Sequence, residues 1–541
     1  MEETFDFIIV GAGSAGCVLA HRLSADPGTA VLLLEAGAAR NDFLVQMPSG
    51  YGKIIGDPRY DWCYMSEPEP TLAGRRIFTP RGKLLGGSSS INGLAYVRGH
   101  GEDFDHWRQL GNPGWGWDDV RKIYARIENY HGHGADRGRD GPMHVTEMTP
   151  HPLARRLMEA AGQAGLPMGR DYNDGAPLGL GPVQSNQWKG RRFSSYEAYL
   201  KPALGRPNLK VVTGALVEAV RFEGRTAMGL TYRVHDENRT AICRGDILLS
   251  AGGINSARLL ELSGIGSAER LRGIGIPVIN DLPGVGENLM DHLNVGIKMK
   301  LKGLASINEQ LRGWRTMLHG ARYMLTHSGL LAISPAQVTG YAQVMENAAS
   351  ADIQFWGVPG SVGVVKGSDG ENRMAMDPWP GVTLSFDQNR PESRGSTHIR
   401  SADPADSPII RFHYLDSELD REVVRRGLRL VRRILSQPAF DGYRDGPPGP
   451  DSAFESDDAL IAFAMQEGRS SYHVVGTCKM GVDNQAVVDP RLNVRGMAGL
   501  RVVDSSVMPT IVSANTHAAT VMIAERAADM ILEDRRQALA A

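Results

Sequence analysis

The sequence is poor in several features that mark particular classes of protein. Its 541 residues include only four cysteines, and none forms a C-x-x-C pair, which argues against a structural zinc site or a disulfide framework. We therefore expect reduced thiols, a cytoplasmic location and no metal site. The formal net charge of −2 gives no reason to expect nucleic acid or an anionic membrane as a partner.

Long apolar segments are also missing. No uncharged apolar run approaches the roughly 18 residues of a membrane-spanning helix. The first residues include Glu2, Glu3 and Asp6, whereas a signal peptide opens with basic residues. We expect no integral membrane segment. The length and a hydrophobic content of 42% fit a globular chain of at least two domains.

Glycine, in contrast, is abundant, and its most informative cluster lies in residues 7–37, FIIVGAGSAGCVLAHRLSADPGTAVLLLEAG. The pattern predicts a strand over Phe7 to Val10, a glycine turn, a helix over about Ala15 to Leu23, and a strand over Ala30 to Leu34 that ends at Glu35. A strand, G-x-G-x-x-G, a helix and an acid about 20 residues further on are typical of a dinucleotide-binding βαβ unit.

The three glycines of this motif and the acid that follows each have a physical role. Gly11 permits the tight turn, Gly13 lets the backbone approach a pyrophosphate, and Gly16 lets the helix pack on the strand. The pyrophosphate is expected at the helix N-terminus, where unpaired N–H groups favour an anion. Glu35 can accept both ribose hydroxyls, which disfavours a 2′-phosphate. The motif alone does not choose between FAD and NAD.

The rest of the chain suggests a nucleotide-binding part in three pieces with a second domain inserted between them. Residues 209–252 alternate like strands and end in a second strand-to-glycine turn. Residues 295–460 mix a helix with alternating strands. Residues 498 onward predict a strand, a turn containing proline and a helix over about Ala518 to Leu532.

Four blocks in this order resemble the glucose–methanol–choline (GMC) family of FAD-dependent oxidoreductases. They are GKLLGGSSSINGLAYVRG at 82–99, GGINSARLLELSGIG at 252–266, DLPGVGENLMDH at 281–292, and a C-terminal pair formed by SSYHVVGTCKMG at 470–481 and residues 500–529. The resemblance covers nearly the whole chain. Ala257 stands where most members carry proline, a departure that concerns the start of a helix.

The resemblance implies an α/β fold, with an FAD-binding Rossmann-like domain and an inserted α+β substrate domain built on a mostly antiparallel sheet. We predict FAD-binding segments at 1–155 and 195–295, substrate-domain segments at 156–194 and 296–465, and a C-terminal active-site and FAD-binding segment at 466–541.

The resemblance also implies which residues contact FAD. Small residues around Gly87 and Ser88 let the backbone run against the flat ring system, Asn92 lies near the flavin, and Gly93 lies near its reactive edge. Some relatives link the flavin covalently through a histidine at the position of Ile91, so we expect non-covalent FAD here. The full predicted set is Gly11, Gly13, Ser14, Ala15, Gly16, Glu35, Ala36, Gly87, Ser88, Asn92, Gly93, Val217, Asp504 and Thr516. For Asp504, a turn cap is the competing interpretation.

The predicted chemistry depends on two histidines and an asparagine. An alcohol oxidoreductase must remove a hydroxyl proton, and a neutral imidazole is suited to accept it near pH 7. His473 matches the family's catalytic histidine. His517 matches a position where relatives carry His or Asn, and we prefer it as the partner of His473. Asn515 lies in the same turn and is the alternative partner.

The sequence indicates less about the substrate than about the reaction. Tyr472 is a candidate pocket wall, as are Tyr341, Gln354 and one of Phe355 and Trp356, which point to opposite faces of a strand. No charged subsite is recognisable, so we expect a small neutral primary alcohol.

Two classes of function remain open. The first is oxidation of a primary alcohol to an aldehyde, with hydride transfer to flavin N5 and reoxidation by oxygen or a quinone-type acceptor. The second is a lyase of the same fold, similar to hydroxynitrile lyases, in which FAD is structural. The sequence does not distinguish oxidase from dehydrogenase.

Overall fold

The computed structural model describes residues 3–134, 136–168, 171–173, 178–366 and 372–540. Two five-stranded sheets organise the chain. The first is parallel, with strands in the spatial order Leu209–Thr213, Val31–Glu35, Phe7–Val10, Ile247–Leu249 and Leu500–Val502. Its strands are almost continuously apolar because helices or other elements cover both faces. Three distant parts of the chain therefore build one sheet, as the sequence predicts.

The second sheet is antiparallel throughout. Its spatial order is Val338–Ala342, Ile353–Val358, Gly381–Gln388, Leu293–Lys300 and Arg469–Ser470. The predicted domain boundaries at 295/296 and 465/466 fall within or just before strands of this sheet. Those boundaries stay a prediction.

A smaller sheet flanks the parallel one. Glu3–Phe5 pairs in parallel with Glu237–Cys243, which continues through Thr226–Val234 to Ala215–Glu223 in antiparallel order. Short strands and bridges, including Glu128–Tyr130 with Met143–Glu147, connect the remaining loops.

Helices cover the sheets; the first begins one residue before its predicted start, and the last ends eight residues beyond its predicted end. The longer helices among the described residues are Ser14–Leu23, Gly101–Gln109, Trp117–Ile127, Pro152–Gln163, Gly252–Leu262, Trp314–Thr326, Glu418–Leu435, Asp457–Glu467 and Thr516–Ala540. The last helix begins two residues before the predicted start and packs on Ser14–Leu23. The two largest buried clusters among the described residues each surround one of the large sheets.

The region 117–130 changes from helix to strand within its sequence WDDVRKIYARIENY. The helix Trp117–Ile127 stops, and Glu128–Tyr130 is a strand. Glu128 is fully buried and bonds both Arg98 and Arg137, so tertiary ion pairs override the local helical pattern. Among the described residues, no helix is long and apolar enough to span a membrane.

Candidate active site

One cavity of about 2360 Å³ is lined by residues of both large sheets. We call the lining beside the parallel sheet, with Gly11 and Glu35, the glycine end of the cavity, and the lining beside the antiparallel sheet, with Trp356 and His473, its histidine end. Every residue of the predicted cofactor set except Gly16 lines this cavity. The structure therefore brings together positions that are up to about 500 residues apart in the chain.

The glycine turn at the first end is required by close backbone contacts. Gly11 has φ of +98°, and a Cβ atom there would lie 2.6 Å from the Ser250 carbonyl oxygen. A Cβ at Gly16 would lie 1.8 Å from the Gly11 carbonyl oxygen, which explains why Gly16 is packed behind the turn and does not reach the cavity.

A second glycine loop meets the first. Gly87 has φ of +51°, and a Cβ there would lie 2.7 Å from Gly13 Cα. Ser88 accepts a hydrogen bond from the Gly82 N–H at 3.1 Å, which closes the loop on itself. Backbone at Gly13 and Gly87 thus presents a surface without side chains, which suits a pyrophosphate and the adjoining flat ring system.

Glu35 ends its strand with both carboxylate oxygens engaged. One accepts from the Ala12 N–H at 2.9 Å and the other from the Gly37 N–H at 2.8 Å. Each oxygen keeps lone-pair capacity for a ribose hydroxyl. Burial raises the pKa of Glu35 to about 7, and the two backbone donors oppose that shift only in part.

The loop that follows Gly87 carries the residues predicted to lie beside the flavin. Asn92 accepts hydrogen bonds from the Leu94 N–H at 3.1 Å and from Arg192 Nη1 at 2.9 Å, so its side chain is held in place. Gly93 is exposed, with nothing within 4 Å of the position of an added Cβ. Ile91 is buried yet contributes to the cavity lining.

Asp504 is a structural cap whose carboxylate is fully used. It accepts from Gly252 N–H at 2.8 Å, Ser256 Oγ at 2.5 Å, Ser506 N–H at 2.8 Å and Ser506 Oγ at 2.6 Å. Four protein donors leave little capacity for a direct bond to the cofactor. The turn-cap interpretation therefore describes this side chain best, and any contribution of Asp504 to cofactor binding is through the backbone that it holds.

The remaining predicted cofactor residues line the same cavity. Ser14 is the first residue of its helix and Thr516 the first of another, while Val217 lies on a strand of the flanking sheet. Ala15 and Ala36 line the cavity beside them.

His473 is carried on a bulge between two paired segments. Leu293 pairs with Ser470, and Met290 pairs with Val475, so two residues on one side face four on the other. Tyr472 takes up the excess with φ of +67°, a left-handed conformation that is unusual for a bulky residue. Bulges of this kind re-aim side chains beside active sites.

A hydrogen-bond relay fixes the tautomer of His473. His292 Nε2 lies 3.0 Å from the Asn389 carbonyl oxygen, which can only accept, so this nitrogen carries a proton. In a neutral His292 the Nδ1 atom is then an acceptor. It lies 2.9 Å from His473 Nδ1, which must donate. His473 Nε2 is consequently the unprotonated nitrogen.

That free nitrogen faces Asn515, not His517. Asn515 Nδ2 lies 3.0 Å from His473 Nε2 and donates to it. The Asn515 Oδ1 atom is buried and has no hydrogen-bond partner within the described part of the chain. His517 Nδ1 instead lies 3.1 Å from Ser14 Oγ at the glycine turn. The contacts thus support the alternative partner and do not support the preference for His517.

Burial keeps both histidines neutral. Desolvation, to which the nearby Arg81 adds, holds the pKa of His473 well below 6.5. Desolvation lowers the pKa of His517 to about 4, and Arg192 adds to the effect. A neutral His473 with a free Nε2 is an acceptor for a proton at neutral pH.

Two buried acids lie beside the relay. Asp291 accepts from the His473 N–H at 2.6 Å and from the His292 N–H at 2.9 Å, which anchors both backbones. Asp387 accepts from Asn294 Nδ2 at 2.8 Å, Ser471 Oγ at 2.5 Å and Trp356 Nε1 at 2.8 Å.

Sequence reasoning missed His292 and these two acids. Asp291 and His292 end the block DLPGVGENLMDH, which carries the family resemblance, and an adjacent Asp-His pair was the available signal. His292, Asp387 and His473 also bring ligand-type atoms within 4.8 Å of one another. Their hydrogen bonds to neighbouring protein groups account for this proximity.

Of the residues predicted to line the substrate pocket, some line the cavity and others do not. Trp356 and Tyr472 line the cavity. Phe355 points into the core, as the alternation along the strand requires. Tyr341 and Gln354 do not line the cavity, because Tyr341 Oη donates to the Ser513 carbonyl at 2.7 Å and Gln354 Nε2 donates to Thr339 Oγ1 at 3.3 Å.

The residues present fit a flavin dinucleotide. Glycine backbone meets glycine backbone where a pyrophosphate would lie, a strand-end acid follows, and the lining continues without interruption to an unprotonated histidine nitrogen. Ser250 Oγ, which lines the cavity, is buried without a partner among the described residues. This combination defines the class of flavin-dependent oxidoreductases.

Comparisons with known proteins identify the family. Models of the GMC oxidoreductase family match residues 5–294 and 391–524. The chain belongs to this family. It is 39% identical over 538 residues to an oxygen-dependent choline dehydrogenase of Vibrio vulnificus, with 98% of this chain and 95% of that protein covered. It is 40% identical to the corresponding protein of Sinorhizobium fredii, with 97% and 95% covered.

Solved structures are similar over the whole chain. Pyridoxine 4-oxidase from Mesorbium loti has a TM-score of 0.87 at 31% identity, with 97% of this chain and 98% of that chain covered. A formate oxidase has a TM-score of 0.91 at 25% identity, with 99% of each chain covered. These findings confirm the predicted fold class, the FAD cofactor and the enzyme class, that of FAD-dependent oxidoreductases acting on alcohols.

Proposed function

We propose that this enzyme oxidises a small neutral primary alcohol to an aldehyde, with His473 as the base that accepts the hydroxyl proton. The single observation that carries the proposal is the relay from the Asn389 carbonyl through His292 to His473, which leaves His473 Nε2 unprotonated. Bound FAD supplies the acceptor for the hydride that leaves the alcohol carbon.

The position of the substrate oxygen follows from the same geometry. Asn515 Nδ2 and His473 Nε2 are 3.0 Å apart, so both atoms are directed at one small region. An alcohol oxygen that enters this region donates its proton to Nε2 and accepts from Nδ2. Asn515 then stabilises the charge that develops on the oxygen as the proton leaves. His517, bonded to Ser14, supports the cofactor end of the site in this scheme.

The carboxylate that bears on the choice between a neutral and a cationic substrate is that of Asp387, which lines the cavity. Its two carboxylate oxygens accept three protein hydrogen bonds, one of them from Trp356 on the cavity wall. The relatives named choline dehydrogenases act on a cation, so choline is the charged comparison in any substrate panel. We expect aromatic and aliphatic primary alcohols to reduce the flavin faster than choline does.

The decisive experiment is anaerobic mixing of the oxidised holoenzyme with each alcohol of such a panel, followed by the flavin absorbance. Bleaching supports oxidation. A flavin that stays oxidised while a cyanohydrin is cleaved supports the lyase and contradicts the proposal. Repeating the reaction with oxygen, and separately with a soluble quinone, assigns the acceptor class.

The mode of FAD attachment is tested independently. Ile91 occupies the position at which a linking histidine would reach the cavity, and isoleucine forms no such bond. We expect denaturation to release all FAD into the supernatant. Flavin that remains with the precipitated chain would contradict this. The four free cysteines are consistent with the cytoplasmic location that we infer.

A further inference from the structure

The helix Trp314–Thr326 presents its apolar side away from the protein. Its exposed large side chains are Trp314 at 67%, Met317 at 76%, Leu318 at 58%, Met324 at 62% and Leu325 at 84%. At about 100° per residue, these positions and the exposed Ala321 fall within an arc of about 120°. Single exposed apolar residues are ordinary on a protein surface, whereas a contiguous stripe of this size marks a binding surface.

The opposite side of the helix fixes its orientation. Tyr323, about 160° from the centre of the stripe, is the buried residue of the helix. It packs with Met47 and Ala332, and its hydroxyl donates to the Gly190 carbonyl at 3.1 Å. Because Tyr323 is anchored in the protein, the helix cannot turn the stripe inward without losing these contacts.

Charge identifies the kind of partner. The sequence contains no acidic residue between Glu309 and Glu346, but it contains Arg312, Arg315 and Arg322. This local excess of positive charge contrasts with the whole-chain charge of −2, from which no anionic membrane was expected. An exposed apolar stripe flanked by arginines is typical of a helix that lies in the interface of an anionic bilayer.

We propose that Trp314–Thr326 docks the enzyme on an anionic lipid surface, with the stripe inserted among the lipid headgroups. Leu311 just before this helix and Thr316 in its first turn line the cavity, as do Leu330 and Leu331 just after it. Docking therefore places the helix-bordered side of the cavity next to the membrane. The helix has 13 residues and lies on the surface, without crossing the bilayer.

The test is sedimentation of the full-length holoenzyme with vesicles of phosphatidylcholine, with or without phosphatidylglycerol. We expect binding to the vesicles that contain phosphatidylglycerol and weaker binding in high salt. The variant Met317→Ser/Leu318→Ser/Leu325→Ser should lose about tenfold or more of the affinity. Arg315→Gln/Arg322→Gln should lose about 25-fold, at about fivefold per charge.

Matched controls distinguish binding through this stripe from nonspecific adsorption through other exposed apolar side chains. Met228→Ser and Val482→Ser remove exposed apolar side chains elsewhere and should bind as the parent does. None of the substituted residues lines the cavity, so each variant should reduce its flavin in solution at the parent rate. An unchanged rate shows that the variant is correctly folded. Lipids brominated near the headgroup should quench the fluorescence of the parent more than that of Trp314→Phe.

Three results would overturn the proposal. The parent fails to bind vesicles that contain phosphatidylglycerol, or the serine variant binds them as tightly as the parent, or light scattering shows a parent dimer that the serine variant dissociates. The last result would assign the stripe to a second copy of this chain. The proposal depends on no step of the reaction proposed above.

Discussion

The two ends of the cavity are built by different means. At the glycine end, backbone meets backbone, and the limiting contacts are those that an added Cβ would make at Gly11, Gly16 and Gly87. At the histidine end, side chains from four separated segments hold one another by hydrogen bonds. The glycine end depends on local backbone shape, whereas the histidine end depends on how distant strands pair. Substitutions at the glycine end should therefore weaken FAD binding, and those at the histidine end should slow flavin reduction.

The largest effect should come from His473→Ala. Loss of a general base typically slows proton removal about 10²–10⁴-fold, while the glycine end stays intact and FAD is retained. Anaerobic stopped-flow reduction of the flavin measures this step without reoxidation. Reduction at the parent rate would show that His473 is not the base, and loss of FAD would show that the two ends are not separable.

A smaller loss is expected from the residues that position His473. His292→Ala leaves the His473 Nδ1 proton without its acceptor, and Asn515→Ala removes the donor at Nε2. At about 1–3 kcal/mol for an unpaired buried group, each should slow reduction about 5- to 150-fold.

The matched comparison for Asn515→Ala is His517→Ala, which should weaken FAD binding more than it slows reduction. Asn515→Asp, which cannot donate, should not rescue the alanine variant, whereas Asn515→Gln should do so in part. A severe rate loss in His517→Ala, with mild effects in Asn515→Ala, would restore His517 as the partner.

At the glycine end, Glu35→Ala should weaken FAD binding about 10- to 100-fold. It removes a charge-assisted acceptor for the ribose, which contributes about 1.5–3 kcal/mol. Equilibrium dialysis of the apoenzyme with FAD measures the affinity. The rate of flavin reduction at saturating FAD should stay near that of the parent, and a large rate loss would contradict the division between the two ends.

The smallest effect concerns pH. Burial raises the pKa of Glu35 to about 7, so the free protein holds this proton below pH 7 and loses it above. Ribose hydroxyls donate to the ionised form, and binding therefore favours loss of the proton. FAD affinity should be flat above pH 7 and fall by up to about tenfold per unit below it. Glu35→Gln should show no such dependence, and a parent without it would contradict the raised pKa.

The difference between the two ends also explains what the sequence could predict. The βαβ unit is contiguous, and its glycines, strand and acid are dictated by local sterics, so its elements were predicted to within one or two residues. His473 was predicted only through the family resemblance. The relay through His292 and Asn389 was not, because it depends on pairing between strands far apart in the chain.

Two differences between the sequence-based expectations and the observed contacts have the same origin. Alternation along a strand indicates that it has two faces, but not which elements cover each face. For this reason Tyr341 and Gln354 were candidates for the pocket wall, although neither lines the cavity. His517 was preferred by position in a motif, whereas the turn at 515–517 directs Asn515 and His517 to different ends of the cavity.

The pairing that flanks the histidines has a consequence for how such an enzyme can diversify. Leu293 with Ser470 and Met290 with Val475 form a fixed frame, and His292 and His473 are held inside it. Trp356 lies two strands away, outside that frame. Other residues on its strand, which do not share the hydrogen bond of Trp356 to Asp387, can therefore be exchanged to admit other alcohols without moving the base. A one-residue insertion between 470 and 475 would change the register and abolish turnover for every substrate alike.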